Sequence, residues 1–241
     1  MKVAIIFIGT GQYLNFLPNY WSKIEENFLP ETEKHFFVFT DGDIDKDETP
    51  DNVTICPIPH RDWPFITLLR FNNIQSIKEE LSDYDQLVFL DADTLVVDTV
   101  TEEEFLSDKD FFGVHHPCHY LNMPPHNQLP GSFETNRKSQ AFLDVQKYKP
   151  EVYYQGCLWG GKIPEVFELV DTIVERTDID VEEETIPVWH DESHLNKFLV
   201  ENQERVHVLG PQFAYPEVFS QHCTFDPKIV HVAKDNSKYQ V

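Results

Sequence analysis

Two aspartates separated by one small residue, Asp91 and Asp93, close the apolar run QLVFL at 86–90. If the chain turns there, both carboxylates can face the same pocket, and hard oxygen ligands of this kind suit Mn2+ or Mg2+. Such an ion can bridge to a diphosphate and neutralise charge on a leaving group. D-x-D alone is weak, because acids that merely end a strand at the surface give the same pattern. A second dense cluster, VWHDESHLNKFL, brings Asp191, Glu192 and His194 into what reads as the start of a helix. The helix dipole favours acids in a first turn, which explains Asp191 or Glu192 singly but explains the whole run poorly.

Two other chemistries fit parts of these clusters. His190 and His194 stand four residues apart and could share a helical face, as in a zinc hydrolase. In H-E-x-x-H, however, glutamate directly follows the first histidine; here Asp191 does, and no third ligand is evident downstream. Gly9-Thr10-Gly11 after an apolar run, with Asp41 ending the next, suggests a dinucleotide-binding oxidoreductase. Leu14 stands where the third glycine of that fingerprint belongs.

The elements that must position these residues alternate. The β-branched run at 3–8 predicts a buried parallel strand, with a helix over 14–28 after it. HFFVFT at 35–40 and the stretch 53–58 predict two further strands separated by an acidic loop. Leu69, Ile74, Ile77 and Leu81 predict a helix over 66–81, and QLVFL and TLVV, on either side of the aspartates, predict strands. From 111 to 150 the chain is rich in His, Pro, Asn and aromatics without periodicity, and predicts a long functional loop. A strand over 153–161, a helix over 164–176, and a last helix from Asp191 with Leu195, Phe198 and Leu199 on its buried face complete the reading. The pattern predicts an α/β fold, a twisted and mainly parallel sheet whose ligands gather at the carboxyl ends of the strands.

At 241 residues one domain is the default, and 41% hydrophobic with 13% aromatic content is enough for a sizeable core. A formal charge of −23, from 42 acids against 19 bases, repels nucleic acid and anionic lipid. It also requires that a bound phosphate be met by a cation or arranged donors. Cys56, Cys118, Cys157 and Cys223 form no C-x-x-C pair, which fits a reducing cytoplasm. The opening MKVAIIFIGTGQY reaches Gly-Thr-Gly too soon for a signal peptide or membrane span.

WHDESHLNK resembles the signature of glycosyltransferase family 6, which holds the histo-blood-group A and B transferases and α1,3-galactosyltransferase. The remaining blocks agree in order: IFIGTGQY resembles the family's first nucleotide strand and WPFITLLRF its arginine helix. FLDAD resembles its metal motif, HHPCHY its acceptor-side segment and YYQGCLWGG its donor-pocket block. The resemblance implies a GT-A type nucleotide-sugar transferase fold with a Rossmann-like N-terminal half. Residues 1–241 would form a single catalytic domain, with nucleotide and metal on 1–98 and donor sugar and acceptor on 99–241. It implies a retaining enzyme that moves galactose or N-acetylgalactosamine, in α1,3 linkage, from UDP-galactose or UDP-N-acetylgalactosamine to a galactoside-type oligosaccharide. The resemblance further leads to the expectation of a chain without the anchor and stem of the Golgi members, like the family's soluble bacterial or viral branch.

Carried over position by position, the resemblance implies nucleotide contacts at Phe7, Ile8, Gly9, Tyr13 and Asp91, and Mn2+ at Asp91 and Asp93. Lys238 would close over the diphosphate. Arg70 and Asp191 would hold the donor sugar, whereas Gln155, Gly156 and Cys157 fall where the family selects it. Cys157 is larger than the glycine or alanine of relatives, which leans toward galactose. His116, Trp189 and Glu217 correspond to acceptor contacts. Glu192 would face the anomeric carbon opposite the departing diphosphate, either attacking it or stabilising an oxocarbenium ion.

Overall fold

A computed structural model of the chain describes residues 1–44, 49–117, 119, 131–235 and 239. The first apolar run forms β1 (Lys2–Ile8). Val3, Ile5 and Phe7 enter one core and Ala4 and Ile6 another, as the two-residue period of a strand covered on both faces requires. β2 (Glu33–Thr40) pairs with one edge of β1, and β3 (Val53–Pro57) lies beyond it. β4 (Gln86–Leu90) pairs with the other edge, and all four strands run parallel.

The crossovers cover the faces. The helix expected over 14–28 is divided into a 3-10 segment, Gly11–Phe16, and α1 (Leu17–Asn27), with Pro18 in the first turn of α1. Proline is tolerated there because its missing N–H has no partner to lose. α1 buries Leu17, Tyr20 and Ile24, and the Tyr20 hydroxyl donates to the Ile6 carbonyl at 3.0 Å. The helix expected over 66–81 is three short ones, α2 (Phe65–Leu68), α3 (Arg70–Gln75) and α4 (Lys78–Leu81). Where α3 ends, Ser76 Oγ donates back to the Asn73 carbonyl at 2.6 Å, a side-chain bond that competes with continued helix.

Beyond β4 the sheet departs from the expected pattern. β5 (Thr94–Val96) leaves for a second sheet, and α5 (Glu102–Phe105) is a single turn closed by a Thr101–Glu104 capping box. FFGVH, inside the region read as loop, is the buried strand β6 (Phe111–His115). Five residues hemmed by His and Pro carry too little periodicity to stand out. After the one-turn α6 (Val145–Tyr148), β7 (Tyr154–Lys162) runs antiparallel to both β4 and β6. α7 (Glu165–Glu182) continues past the expected end at 176, and α8 (His190–Glu201) carries the HDES cluster in its first turn. β8 (Val206–Leu209) pairs parallel with β6. Among the described residues the large sheet has seven strands, ordered β3-β2-β1-β4-β7-β6-β8.

α3, α7 and α8 bury the second face around Phe71, Trp159, Leu169 and Leu199. A three-stranded sheet pairs β5 with β10 (Ile229–His231), and β10 with β9 (Tyr215–Pro216). It carries the C-terminal segment back to the aspartates, where the Val232 N–H donates to the Asp93 carbonyl at 2.9 Å. Among the described residues no helix is long and apolar enough to cross a membrane.

Candidate active site

β1, β2 and β4 end on the same side, and a cavity of about 410 Å3 opens there. Its floor is backbone turning out of β1. The Gly9 N–H donates to the Phe39 carbonyl at 2.9 Å, and the Gly11 N–H to Asp41 Oδ1 at 2.8 Å. Gly11 has φ +54°, a left-handed conformation that glycine adopts at little cost. Ile8, Gly9, Tyr13, Arg70, Asp91 and Asp93 all line this cavity. Phe7 does not; its ring is fully buried, edge-on to Tyr20 at 4.9 Å.

The two aspartates sit at the turn after β4, and the Asp91 N–H donates to the Cys157 carbonyl at 2.9 Å. Asp91 Oδ1 accepts from an Arg70 Nη at 3.1 Å. Asp93 is nearly buried, paired with Lys234 Nζ and 3.6 Å from His231 Nδ1. Burial alone would raise the Asp93 carboxyl, yet His231 and Lys234 together hold it well below the usual carboxylate range. Two carboxylate oxygen donors at the rim of a pocket fit a hard divalent ion whose remaining ligands come from a diphosphate. Among the described residues no three His, Cys, Asp or Glu side chains converge on a metal-sized site, so the protein's own share of such a set is these two aspartates.

A second cavity, about 220 Å3, adjoins the first and shares Trp63, Thr67, Arg70 and Asp91 with it. His116, Gln155, Gly156, Cys157 and the run from Trp189 to Glu192 complete its wall. Arg70 is the hinge between the two. Its Nε lies 3.0 Å from Asp191 Oδ2, a second guanidinium nitrogen donates to Asp91 and to the Gly156 carbonyl at 3.2 Å, and the group stacks over Phe89 at 4.7 Å. Arg70 is thus nearly buried. One Nη donates to two acceptors, while Nε, though in ion-pair contact with Asp191, is buried without a hydrogen bond of its own.

Glu192 projects from the first turn of α8 into the second cavity, with both carboxylate oxygens engaged. Oε1 accepts from the Tyr153 hydroxyl at 2.6 Å and Oε2 from the Gly156 N–H at 2.7 Å. A Cβ on residue 156 would lie 3.1 Å from Glu192 Cβ, so glycine is what lets the strand approach the helix so closely. Burial pushes Glu192 up to about 7, against the lowering effect of the Tyr153 and Gly156 hydrogen bonds. Burial likewise pushes Asp191 up to about 7, with Arg70 opposing. His116, driven down to about 3 by burial and the neighbouring histidines, is neutral at ordinary pH. Burial raises the Cys157 thiol well above its usual value, leaving it a compact apolar wall group.

Two expected residues fall elsewhere. Phe7 belongs to the core, and exposed Glu217 accepts from the Ala233 N–H at 2.8 Å, tethering the C-terminal segment instead of facing the second cavity. Lys238 lies outside the described residues. Among the described residues of the tail, Lys234 reaches Asp93. Tyr153 and Asn196, which hydrogen-bond to Glu192 or its backbone, carry no signal of their own in the sequence. The paired-histidine reading fails on geometry. His190 rests edge-on against Trp63 at 4.7 Å, while His194 is fully buried 3.4 Å from Asp180 Oδ2.

All of residues 1–241 match the model for glycosyltransferase family 6. The chain belongs to glycosyltransferase family 6. It is similar to the O-antigen biosynthesis glycosyltransferase WbnI of Escherichia coli, 28% identical over 239 residues, covering 99% of this chain and 97% of that protein. It is similar also to human globoside alpha-1,3-N-acetylgalactosaminyltransferase 1, 25% identical over 224 residues, 90% of this chain and 62% of the relative. Rat histo-blood group ABO system transferase 1 is 27% identical over 222 residues, 89% of this chain and 61% of the relative. The family-6 chain thus spans nearly all of the bacterial relative and less than two thirds of the two mammalian ones. It is a glycosyltransferase of GT-A type fold, and membership displaces both the zinc-hydrolase and the oxidoreductase readings.

Proposed function

We propose that the chain is a retaining transferase that moves galactose or N-acetylgalactosamine from a UDP-sugar, in α1,3 linkage, onto a galactoside-type acceptor. The observation that carries this reading is Arg70, whose guanidinium meets Asp91 in the wall of one cavity and Asp191 in the wall of the next. One extended ligand, a nucleotide diphosphate at one end and a hexose at the other, matches two adjoining pockets joined by a cation. Residues 1–98 then hold nucleotide and metal and residues 99–241 the sugar and acceptor, within a single catalytic unit. Buried Cys157 narrows the second cavity where a 2-acetamido group would lie, which favours galactose. Free thiols at Cys56, Cys157 and Cys223 support a cytoplasmic setting.

In this reading Asp91 and Asp93 hold Mn2+, or Mg2+ in its place, which supplies charge neutralisation for the departing diphosphate. Lys234, now on Asp93, is within reach of the same phosphates. Asp191 accepts from donor-sugar hydroxyls, with Arg70 fixing its orientation. Glu192, as the anion, faces the sugar's positive centre, by covalent attack or electrostatically. His116 and Trp189 shape the acceptor side of the second cavity.

The test is a donor and acceptor screen: UDP-galactose beside UDP-N-acetylgalactosamine, each with fucosylated and plain galactosides, and the new linkage read by NMR. An α1,3-linked product formed only with Mn2+ or Mg2+ is expected. A β-linked product, or full turnover in excess EDTA, would refute the retaining or the metal-dependent part respectively.

A further inference from the structure

We propose that Tyr153 is the positioning residue for Glu192, holding its carboxylate in the working orientation; this rests on the role given to Glu192 above. Tyr153 immediately precedes β7, and its fully buried ring stacks on His119 at 4.8 Å and packs edge-on against Phe133 at 5.1 Å. A ring so enclosed has little freedom to turn, so the position of its hydroxyl is set by the fold. That hydroxyl takes one carboxylate oxygen of Glu192 while the Gly156 N–H takes the other. Two donors on two oxygens fix the plane of the carboxylate.

The backbone beneath is pinned independently. Asn196 Oδ1 accepts from the Tyr154 N–H at 2.8 Å, and its Nδ2 donates to the carbonyls of Tyr154 at 2.8 Å and Glu192 at 2.9 Å. This side chain imitates a strand partner and locks the first turn of α8 to β7. The Tyr153–Glu192 hydrogen bond therefore joins two elements already held in register.

The surroundings decide what the hydroxyl does for charge. Asp191 beside Glu192 and Asp91 at the end of β4 disfavour a second anion, Arg70 favours it, and the buried Cys157 thiol and neutral His116 are uncharged neighbours. His119 stacks on the far face of Tyr153. A phenol donating to the carboxylate stabilises the anionic form, so removing it makes Glu192 easier to protonate.

Tyr153→Phe keeps the ring and deletes only the donor. The expected result is a kcat at least about tenfold lower below neutral pH, with the acid limb of the kcat profile moved up by about one unit. Donor KM should stay within about twofold, since the donor-sugar contacts of Asp191 and Arg70 remain. Tyr153→meta-fluorotyrosine, a stronger donor, should move the limb the other way, and it carries the test if the Phe variant does not fold. An unmoved limb in the folded variants, whatever their Tm, would overturn the proposal. Glu192→Gln run in parallel separates the two failures: wild-type turnover there removes the role of Glu192 itself, whereas an inactive Glu192→Gln beside an unmoved limb removes Tyr153 alone.

Discussion

The cavity at the ends of β1, β2 and β4 and the cavity at the start of α8 use different means to hold a charged ligand. The first is framed by backbone turning at Gly9 and Gly11 and by acids whose charges are already met by Arg70 and Lys234. The second buries Asp191 and half-buries Glu192 beside it, and desolvation raises both acids to about 7. Paired charges and turning backbone suit the capture and release of a diphosphate. Desolvated carboxylates held by directed donors suit chemistry, because a charge in low dielectric acts more strongly on a developing cation and needs no reorganisation.

Arg70 belongs to both cavities, so its removal is the largest expected break in that comparison. Arg70→Met should lower kcat/KM by at least about a hundredfold, roughly 3 kcal/mol in transition-state stabilisation. It should also destabilise the fold in a pH-dependent way. A buried carboxylate left without its cation has a folded pKa still further above the unfolded value. Its contribution to stability is then present at low pH and is lost as pH rises through the folded pKa. Thermal melts should therefore show a larger Tm deficit against wild type at pH 8 than at pH 5.5; an equal deficit would mean that Arg70 does not neutralise Asp191.

A smaller effect is expected at the first cavity alone. Asp93→Asn keeps shape and removes one charge, so the Mn2+ concentration giving half-maximal turnover should rise about tenfold or more, with kcat at saturating Mn2+ less affected. An unchanged requirement would leave Asp93 as no more than the partner of Lys234. At the second cavity alone, Gly156→Ala sets a methyl 3.1 Å from Glu192 Cβ and should lower kcat about tenfold while leaving UDP affinity, measured calorimetrically, within twofold. Loss of UDP binding in that variant would mean that the two cavities are not separable. The smallest effect belongs to Glu217→Gln, which faces neither cavity; acceptor KM should change by less than about twofold, and a large rise would return Glu217 to the acceptor side.

Legibility in the sequence followed the same division. β1, β2 and β4 announced themselves as apolar runs ending in Gly or Asp and β3 as a short run ending among prolines, and the D-x-D turn was readable because parallel strands deliver ligands at their carboxyl ends. β6 and β8 were not readable. FFGVH is followed by histidines and proline, and VHVL is short and half-exposed, so neither has a period to detect. The interrupted helix before β4 also escaped, since its apolar spacing persists across the breaks at Leu69 and Ile77. At the site, WHDESHLNK marked Asp191 and Glu192 but gave no sign that Tyr153, 39 positions earlier, would bond to Glu192. His194 in the same run packs beside Asp180, which itself accepts from Ser139 Oγ at 2.6 Å. Density of ionisable residues therefore identified the cluster but not which members face ligand.

Transfer by Glu192→Gln, set beside its affinity for UDP, tests the division of labour most directly. The substitution keeps the volume of the side chain and deletes the negative charge that the proposal sets opposite the sugar, while the first cavity, proposed for the nucleotide, is untouched. Sugar transfer should fall by at least about a thousandfold, with UDP bound within about twofold of wild type. Near-normal transfer, or transfer and UDP binding lost together, would contradict it.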